Sequence, residues 1–113
     1  MSATDIRVWG PAAWRWLHVV AWSTYPDVAT TPDRVRMFNF LSSFALAIPC
    51  ERCRAHFSKM LDQDLARGVD SVILEGRSAL THATVNWHNR VNRRLGRSEM
   101  DYARVARLYE VTS

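Results

Sequence analysis

The feature that most constrains this chain is the helical spacing of its apolar residues. Near the N-terminus they recur three and four positions apart, as one face of an α-helix requires: Trp14, Leu17, His18, Ala21 and Trp22. The spacing returns in later segments, and no segment alternates as a half-buried strand does. The 113 residues suit one domain, so we predict an all-α fold with residues 1–113 forming a single domain.

Start and stop signals divide the chain into four helices and a short fifth one, which predicts a four-helix bundle with the fifth helix packed across it. The predicted starts are Trp9-Gly10-Pro11, Thr31, the cysteines from Cys50, Ser78, and a capping box at 98–101. The predicted ends are Tyr25-Pro26, Pro49, Gly68 and Leu95, and residues 69–76 form a connector. Inward positions include Val35, Phe38, Leu41 and Ala45 in the second helix, and Leu80, Thr84, Trp87, Val91 and Leu95 in the fourth.

Several classes of protein are excluded by composition. No run of 18 apolar residues exists, and the first residues resemble neither a secretory signal nor a transit peptide. We therefore expect a cytoplasmic protein that does not span a membrane; if it is viral, we expect it in the host cytoplasm or the virion. The net charge is +4, and Lys59 is the only lysine among the basic residues. Arginine suits a phosphate-bearing ligand or nucleic acid.

The two cysteines, Cys50 and Cys53, are the first candidate for chemistry. They follow a proline at a predicted helix start, where backbone N–H groups and the helix dipole favour a thiolate. Arg52 and Arg54 act in the same direction. Two intervening residues place both sulfurs on one helical turn, so a disulfide can open and close with little backbone movement. The pattern favours a redox-active pair over an inert one.

Zinc binding is the alternative that we weigh against this interpretation. Cys50, Cys53 and His56 form a C-x2-C-x2-H run, and His82 or His88 could supply a fourth ligand. However, structural zinc sites usually contain a second tight ligand pair, and two histidines six residues apart do not form one. We therefore predict no metal site.

A second polar cluster lies on the predicted fourth helix. His88 and Asn92 are four residues apart and share a face, Asn89 is adjacent, and Arg97 follows one turn later. Amides and an imidazole turned inward need partners, which a heterocycle rimmed with donors and acceptors would provide. Taken alone, this cluster is also compatible with a polar helix face exposed to solvent. His18, taken alone, is also compatible with a core histidine whose hydrogen bonds are made within the protein.

Together these segments resemble the Erv/ALR family of FAD-linked sulfhydryl oxidases. The resemblance lies in three blocks that occur in the family's order and at about its spacing: 9–18 with Tyr25-Pro26, 48–57, and 88–97. It extends over nearly the whole chain and is most similar to the short enzymes of large DNA viruses. It implies FAD at the mouth of the bundle, with Cys53 nearest the flavin and Cys50 as the exposed interchange thiol. The cofactor contacts that it implies are Gly10, Trp14, His18, Tyr25, His56, His88, Asn89, Asn92 and Arg97.

The resemblance also implies an activity and partners. A protein dithiol or a thioredoxin-like carrier would exchange with the Cys50–Cys53 disulfide, and the electrons would pass to FAD and then to O2, giving H2O2. The family forms dimers, here non-covalent, with Trp16, Val20 or Phe40 as candidates for the seam. Many members have a second disulfide where this chain has Val85 and Tyr102, so the fifth helix must be held by packing through Met100, Val105 and Leu108. The alternative is a non-catalytic helical module that binds zinc or nucleic acid.

Overall fold

The computed structural model describes residues 2–110 and contains five α-helices: α1 (Ile6–Ser23), α2 (Thr31–Leu46), α3 (Glu51–Asp64), α4 (Arg77–Arg94) and α5 (Tyr102–Tyr109). Two single 3-10 turns, Gly68–Asp70 and Val72–Leu74, form the connector before α4. No strand occurs within these residues. The all-α prediction is confirmed; Met1 and residues 111–113, which the predicted domain includes, lie outside the described residues.

The first helix begins earlier than Trp9-Gly10-Pro11 indicates. Its N-cap is Asp5, whose carboxylate accepts a hydrogen bond from the backbone N–H of Arg7 at 2.9 Å. Pro11 therefore lies inside α1 and not in its first turn. The predicted start is wrong because the side-chain cap at Asp5, four residues before Trp9, begins the helix.

The other helix starts agree more closely, with two differences in how they are capped. Thr31 begins α2 as predicted, behind a capping box in which Thr30 and Asp33 exchange hydrogen bonds. Arg77 begins α4, one residue before the predicted start. The capping box predicted at 98–101 is wrong, because Asp101 is the N-cap of α5 and its side chain makes no capping hydrogen bond.

The main core lies between the helices and includes six apolar side chains at 1% exposure or less: Leu17, Ala21, Leu41, Leu74, Leu80 and Trp87. Each fully buried leucine contributes about 2 kcal/mol from burial. The inward predictions for Val35 and Leu95 are wrong, since they are 41% and 40% exposed. The buried residues of α2 are Met37, Leu41 and Ala45, and Leu95 lies beyond the end of α4.

A second, smaller cluster holds α5 against the bundle. Trp22 of α1, Val85 of α4 and Val105 of α5 are buried together, and Met100 and Tyr102 pack against them. The cluster confirms packing by Val105 and Met100. Leu108 is 77% exposed, so its predicted packing role is wrong. An eight-residue helix has one narrow inner face, and here Val105 occupies it.

A close backbone approach joins the α1–α2 loop to the connector before α4. The N–H of Ala29 donates to the carbonyl of Glu75 at 3.0 Å, and the N–H of Arg77 donates to that of Pro26 at 2.9 Å. Between these bonds, a Cβ on Gly76 would lie 2.1 Å from the carbonyl oxygen of Asp27. Glycine is therefore required at position 76 by contact with backbone. None of the helices between residues 2 and 110 is long and apolar enough to cross a membrane.

Candidate active site

The cysteine pair lies at the start of α3, as predicted. Cys50 is the N-cap residue, and its sulfur accepts a hydrogen bond from the backbone N–H of Cys53 at 3.2 Å. The segment before it is fixed by Arg54, whose side chain donates to the carbonyl of Ile48 at 3.0 Å. Both thiols are half-buried and not bridged. One turn of helix therefore holds both sulfurs, which is the arrangement required of an opening and closing disulfide.

The two thiols differ in acidity. Hydrogen bonds from the thiol and then the backbone N–H of Cys53 lower the pKa of Cys50, with a smaller contribution from Arg94. Burial raises the pKa of Cys53, and its interaction with Cys50 raises it further. The first thiolate of the pair therefore forms on Cys50, the more nucleophilic group.

A cavity of about 500 Å³ opens beside the pair, between α1, α3, α4 and α5. Cys53 lines it and Cys50 does not. The other lining side chains include most of the predicted cofactor contacts: Gly10, Trp14, His18, His56, His88, Asn92 and Arg97. The structure thus brings seven of these predicted contacts, which come from three separate segments, to one cavity of ligand-binding size.

Stacked aromatic and imidazole rings form one wall of the cavity. Trp14 and His88 lie face to face, with centroids 4.2 Å apart and planes at 3°. Phe57 meets the edge of Trp14 at 5.8 Å, and Tyr109 of α5 stacks on His18 at 5.5 Å. Rings from four helices therefore form this wall, in which the parallel faces of Trp14 and His88 suit a planar heterocycle.

The two histidines of this wall are hydrogen-bonded to each other. Nε2 of His18 and Nδ1 of His88 lie 3.1 Å apart, and Nδ1 of His18 lies 3.1 Å from the hydroxyl of Thr84. Burial, with the neighbouring His88, lowers the pKa of His18 to about 4. Burial, with Arg97, lowers the pKa of His88 to about 4. Both imidazoles are therefore neutral at pH 7.

Five cationic side chains line the same cavity: Arg90, which pairs with Asp64, and the four others, Arg15, Lys59, Arg94 and Arg97. None of these four others takes part in a salt bridge among residues 2–110. Slight burial, followed by Arg94, Arg52 and Lys59, lowers the pKa of His56. The rim of the cavity therefore has positive charge available for an anionic ligand.

Arg97 owes its position to the way α4 ends. Gly96 adopts a left-handed conformation with φ 71°. The N–H of Gly96 donates to the carbonyl of Arg93 at 3.2 Å, and that of Arg97 donates to the carbonyl of Asn92 at 2.7 Å. This is the Schellman arrangement, which favours glycine at the left-handed position. It turns the chain so that Arg97 lines the cavity.

Tyr25 and Asn89, two predicted cofactor contacts, lie outside the cavity lining. The hydroxyl of buried Tyr25 donates to the carbonyl of Leu74 in the connector. The amide of Asn89 donates to the carbonyl of Met100 at 2.8 Å and accepts from its N–H at 2.7 Å. Tyr25 therefore fixes the connector, and Asn89 fixes the segment that leads into α5.

Two residues important for the site have no role in the sequence prediction. Oδ2 of Asp64 accepts hydrogen bonds from Nε1 of Trp87 and from Arg90, both at 2.8 Å, and so joins α3 to α4. Thr84, predicted only as an inward residue, is hydrogen-bonded through its hydroxyl to Nδ1 of His18. Neither role has a sequence signal, because the partners lie 23, 26 and 66 residues away along the chain.

The zinc arrangement does not form in the described part of the chain, where no group of three or more His, Cys, Asp or Glu side chains is placed to share a metal ion. His88 is engaged by His18 and Trp14. His82 stacks on Tyr102 with centroids 3.6 Å apart. Neither candidate fourth ligand is therefore grouped with the two cysteines and His56.

Similarity to viral proteins extends over most of the chain. A putative FAD-linked sulfhydryl oxidase of Invertebrate iridescent virus 3 is 35% identical over 95% of this chain and 69% of its own. A probable FAD-linked sulfhydryl oxidase of Acanthamoeba polyphaga mimivirus is 29% identical over 92% of this chain and 70% of its own.

The same fold occurs in a solved structure. The FAD binding domain of Erv1 from Saccharomyces cerevisiae superposes with a TM-score of 0.82 at 27% identity, and the match covers 94% of each chain. The model of the Erv1 / Alr family matches residues 11–110, which include the cysteine pair and the ring wall. This protein therefore belongs to the Erv1/Alr family.

Proposed function

We propose that this protein is an FAD-dependent sulfhydryl oxidase that forms disulfides in protein substrates, converting two thiols and O2 into a disulfide and H2O2. One observation carries the proposal: Cys53 lines the cavity and Cys50, the more acidic thiol, does not. The pair thus has one sulfur toward a bound ligand and one toward a substrate. Family membership and the names of the viral relatives support the same activity.

The residues present fit FAD in chemistry and in place. Flat rings of Trp14 and His88 suit a planar heterocycle, and unpaired cations such as Arg97 suit its phosphates. Bound FAD would accept two electrons from the reduced cysteine pair and transfer them to O2. We assign its contacts to the predicted residues that line the cavity, namely Gly10, Trp14, His18, His56, His88, Asn92 and Arg97. Tyr25 and Asn89 remain predictions.

The thiol chemistry follows from the different surroundings of the two sulfurs. A substrate thiolate attacks Sγ of Cys50 in the disulfide, and Cys53 leaves as a thiolate. The second substrate thiol then attacks the substrate sulfur of this mixed disulfide, and Cys50 leaves. The N–H of Cys53, which donates to Sγ of Cys50, stabilises that leaving thiolate. Two substrate thiols are thereby oxidised, and the enzyme pair is reduced by two electrons.

We further propose that the partners are a dithiol protein or a thioredoxin-like carrier at Cys50, and a second copy of this chain at the α1–α2 face. There Trp16 is 57% exposed beside a groove that Val20, Met37 and Phe40 also line. The expected dimer is non-covalent. Trp16→Glu is expected to give a monomer in sedimentation equilibrium, whereas Val72→Glu, at a side chain that is 68% exposed and outside that groove, is expected to leave the dimer intact. A cytoplasmic site of action and a single domain over residues 1–113 are part of the same proposal.

The test of the activity begins with the purified protein. We expect the visible spectrum of an oxidised flavin, O2 consumption with a reduced protein dithiol, and one H2O2 per disulfide. Cys50→Ser is expected to keep the flavin and lose turnover by at least about a hundredfold. A colourless protein with stoichiometric zinc, or DNA binding that falls steeply with salt, would support the non-catalytic alternative. Normal turnover in Cys50→Ser would refute the role of Cys50.

A further inference from the structure

A chain of hydrogen bonds joins Thr84, His18 and His88 behind the ring wall. Thr84 is fully buried and determines which atom donates in each bond. Its hydroxyl donates to the carbonyl of Thr81 at 2.8 Å. A hydroxyl has one proton, so the same oxygen can only accept from Nδ1 of His18, 3.1 Å away. If Thr84 instead donated to His18, the bond to Thr81 would be lost. The first arrangement therefore makes one more hydrogen bond in a site that excludes water.

The bond to Thr84 then decides which ring nitrogen of His18 carries the proton. This imidazole is 2% exposed and neutral, so it carries one N–H, which the bond to Thr84 assigns to Nδ1. Its Nε2 is therefore an acceptor. The partner 3.1 Å away is Nδ1 of His88, which must carry a proton in order to donate. His88 is also neutral, so its Nε2 has a free lone pair.

His88 lines the cavity with its ring held flat by Trp14. No hydrogen bond between the described residues uses its Nε2. We propose that Thr84, acting through His18, fixes the tautomer of His88 with the proton on Nδ1, so that the cavity presents a hydrogen-bond acceptor at Nε2. The ligand must then supply a donor there, a hydroxyl or an amino group, and a phosphate oxygen is rejected at this point. Thr84 is a positioning residue and touches no ligand.

FAD carries such donors in its sugar hydroxyls and its adenine amino group, so the ligand part of this inference rests on the proposed function. The tautomer part does not. It can be measured in the full-length protein as purified, whether or not flavin is bound. A protein without flavin would contradict the proposed function and leave the proton assignment of His88 open to direct measurement.

The experiment is long-range 15N–1H NMR of the histidine rings at pH 7. In the wild type and in Thr84→Ser, which keeps the hydroxyl, we expect a protonated Nδ1 and a bare Nε2 on His88. Thr84→Val keeps the shape and removes the hydroxyl. We expect this variant to show a mixture of His88 tautomers and to release FAD about tenfold more readily.

Two results would overturn the proposal. One is a proton on Nε2 of His88 in the wild type, which needs no variant and so decides the matter even if Thr84→Val does not fold. The other is an unchanged His88 tautomer in folded Thr84→Val. A loss of FAD that is equal in Thr84→Val and Thr84→Ser would contradict only the ligand part of the inference, because it would show a packing effect and not one of the hydroxyl.

Discussion

The indole of Trp14 and the imidazole of His88 lie parallel, with ring centroids 4.2 Å apart and planes at 3°. One ring comes from α1 and the other from α4, so the pair joins the two helices at the cavity. Both rings line the cavity that Cys53 also lines. We therefore expect this contact to affect both the stability of the fold and the binding of FAD, and variants on α1 can separate the two effects.

Replacing Trp14 by Ala is expected to weaken FAD binding about tenfold or more, because it removes the indole from the ring wall. Trp14→Phe keeps a ring and is expected to lie between Ala and the wild type. Trp16→Ala is the matched control, since Trp16 is on the same helix, 57% exposed and outside the cavity. The fluorescence of released FAD measures the effect. Equal losses in Trp14→Ala and Trp16→Ala would contradict a specific role for Trp14.

The stability of the fold is expected to fall as the pH is lowered from 6.5 toward 4. The pKa values of His18 and His88 lie at about 4 in the folded protein, against 6.5 ordinarily. In this window the unfolded chain binds protons that the folded chain does not, so stabilisation is complete above pH 6.5 and declines below it. Each histidine contributes at most about 1.4 kcal/mol per pH unit.

Urea unfolding at several pH values between 5 and 7 measures this slope. His88→Phe removes one of the two titrating groups and is expected to flatten the dependence by about half. A wild-type stability that does not change over this range would show that neither imidazole is held neutral by the fold.

Alkylation of the reduced protein is expected to modify Cys50 before Cys53, because the pKa of Cys50 is lowered and that of Cys53 is raised by burial. Iodoacetamide labelling at pH 7, followed by peptide mass spectrometry, measures the order. Cys53→Ala removes the largest contribution to the acidity of Cys50 and is expected to slow its labelling. In Cys50→Ala, the thiol of Cys53 is expected to be labelled faster than in the wild type, because the interaction with Cys50 that raises its pKa is gone. Preferential labelling of Cys53 would reverse the assigned roles.

Gly76→Ala is expected to destabilise the protein by more than about 4 kcal/mol or to prevent folding, since the new Cβ would meet the carbonyl oxygen of Asp27 at 2.1 Å. Gly68→Ala is the control. Gly68 has φ 62° with nothing within 4 Å of a Cβ, so only backbone strain of about 1 kcal/mol is expected. Thermal and urea unfolding compare the two. If both cost the same, the close approach at Gly76 is not what requires glycine.

Val105→Ala is expected to cost about 2 kcal/mol and to release α5 in hydrogen exchange, because Val105 is the residue of α5 buried against Trp22 and Val85. Leu108→Ala, on the same helix, is expected to change stability by less than about 0.5 kcal/mol, since Leu108 is 77% exposed. Equal protection of α5 in both variants would show that the helix is held by something other than this cluster.

Local pattern alone predicted the helices and the place of the cysteine pair at a helix start, whereas most of the cavity residues were predicted from the resemblance to the Erv/ALR family. Apolar spacing predicted α2, α3 and α4 within a few residues, because burial of one face repeats every 3.6 positions. Pro49 and the cysteines predicted the start of α3, since the geometry of a helix N-terminus is local. The start of α1 was predicted wrongly, because Pro11 also fits a first turn when the cap at Asp5 is overlooked.

Tertiary structure decided what each polar group does. Asn89 and Asn92 belong to the same polar cluster in the sequence. In the structure, however, the side chain of Asn89 is hydrogen-bonded to the backbone of Met100, and Asn92 lines the cavity. The role of Thr84 depends on His18, 66 residues away. The acceptor at His88 follows from that chain of bonds. A hydrogen bond needs two atoms within about 3 Å, and for partners on different helices that distance is set by packing, which no spacing along one helix can show.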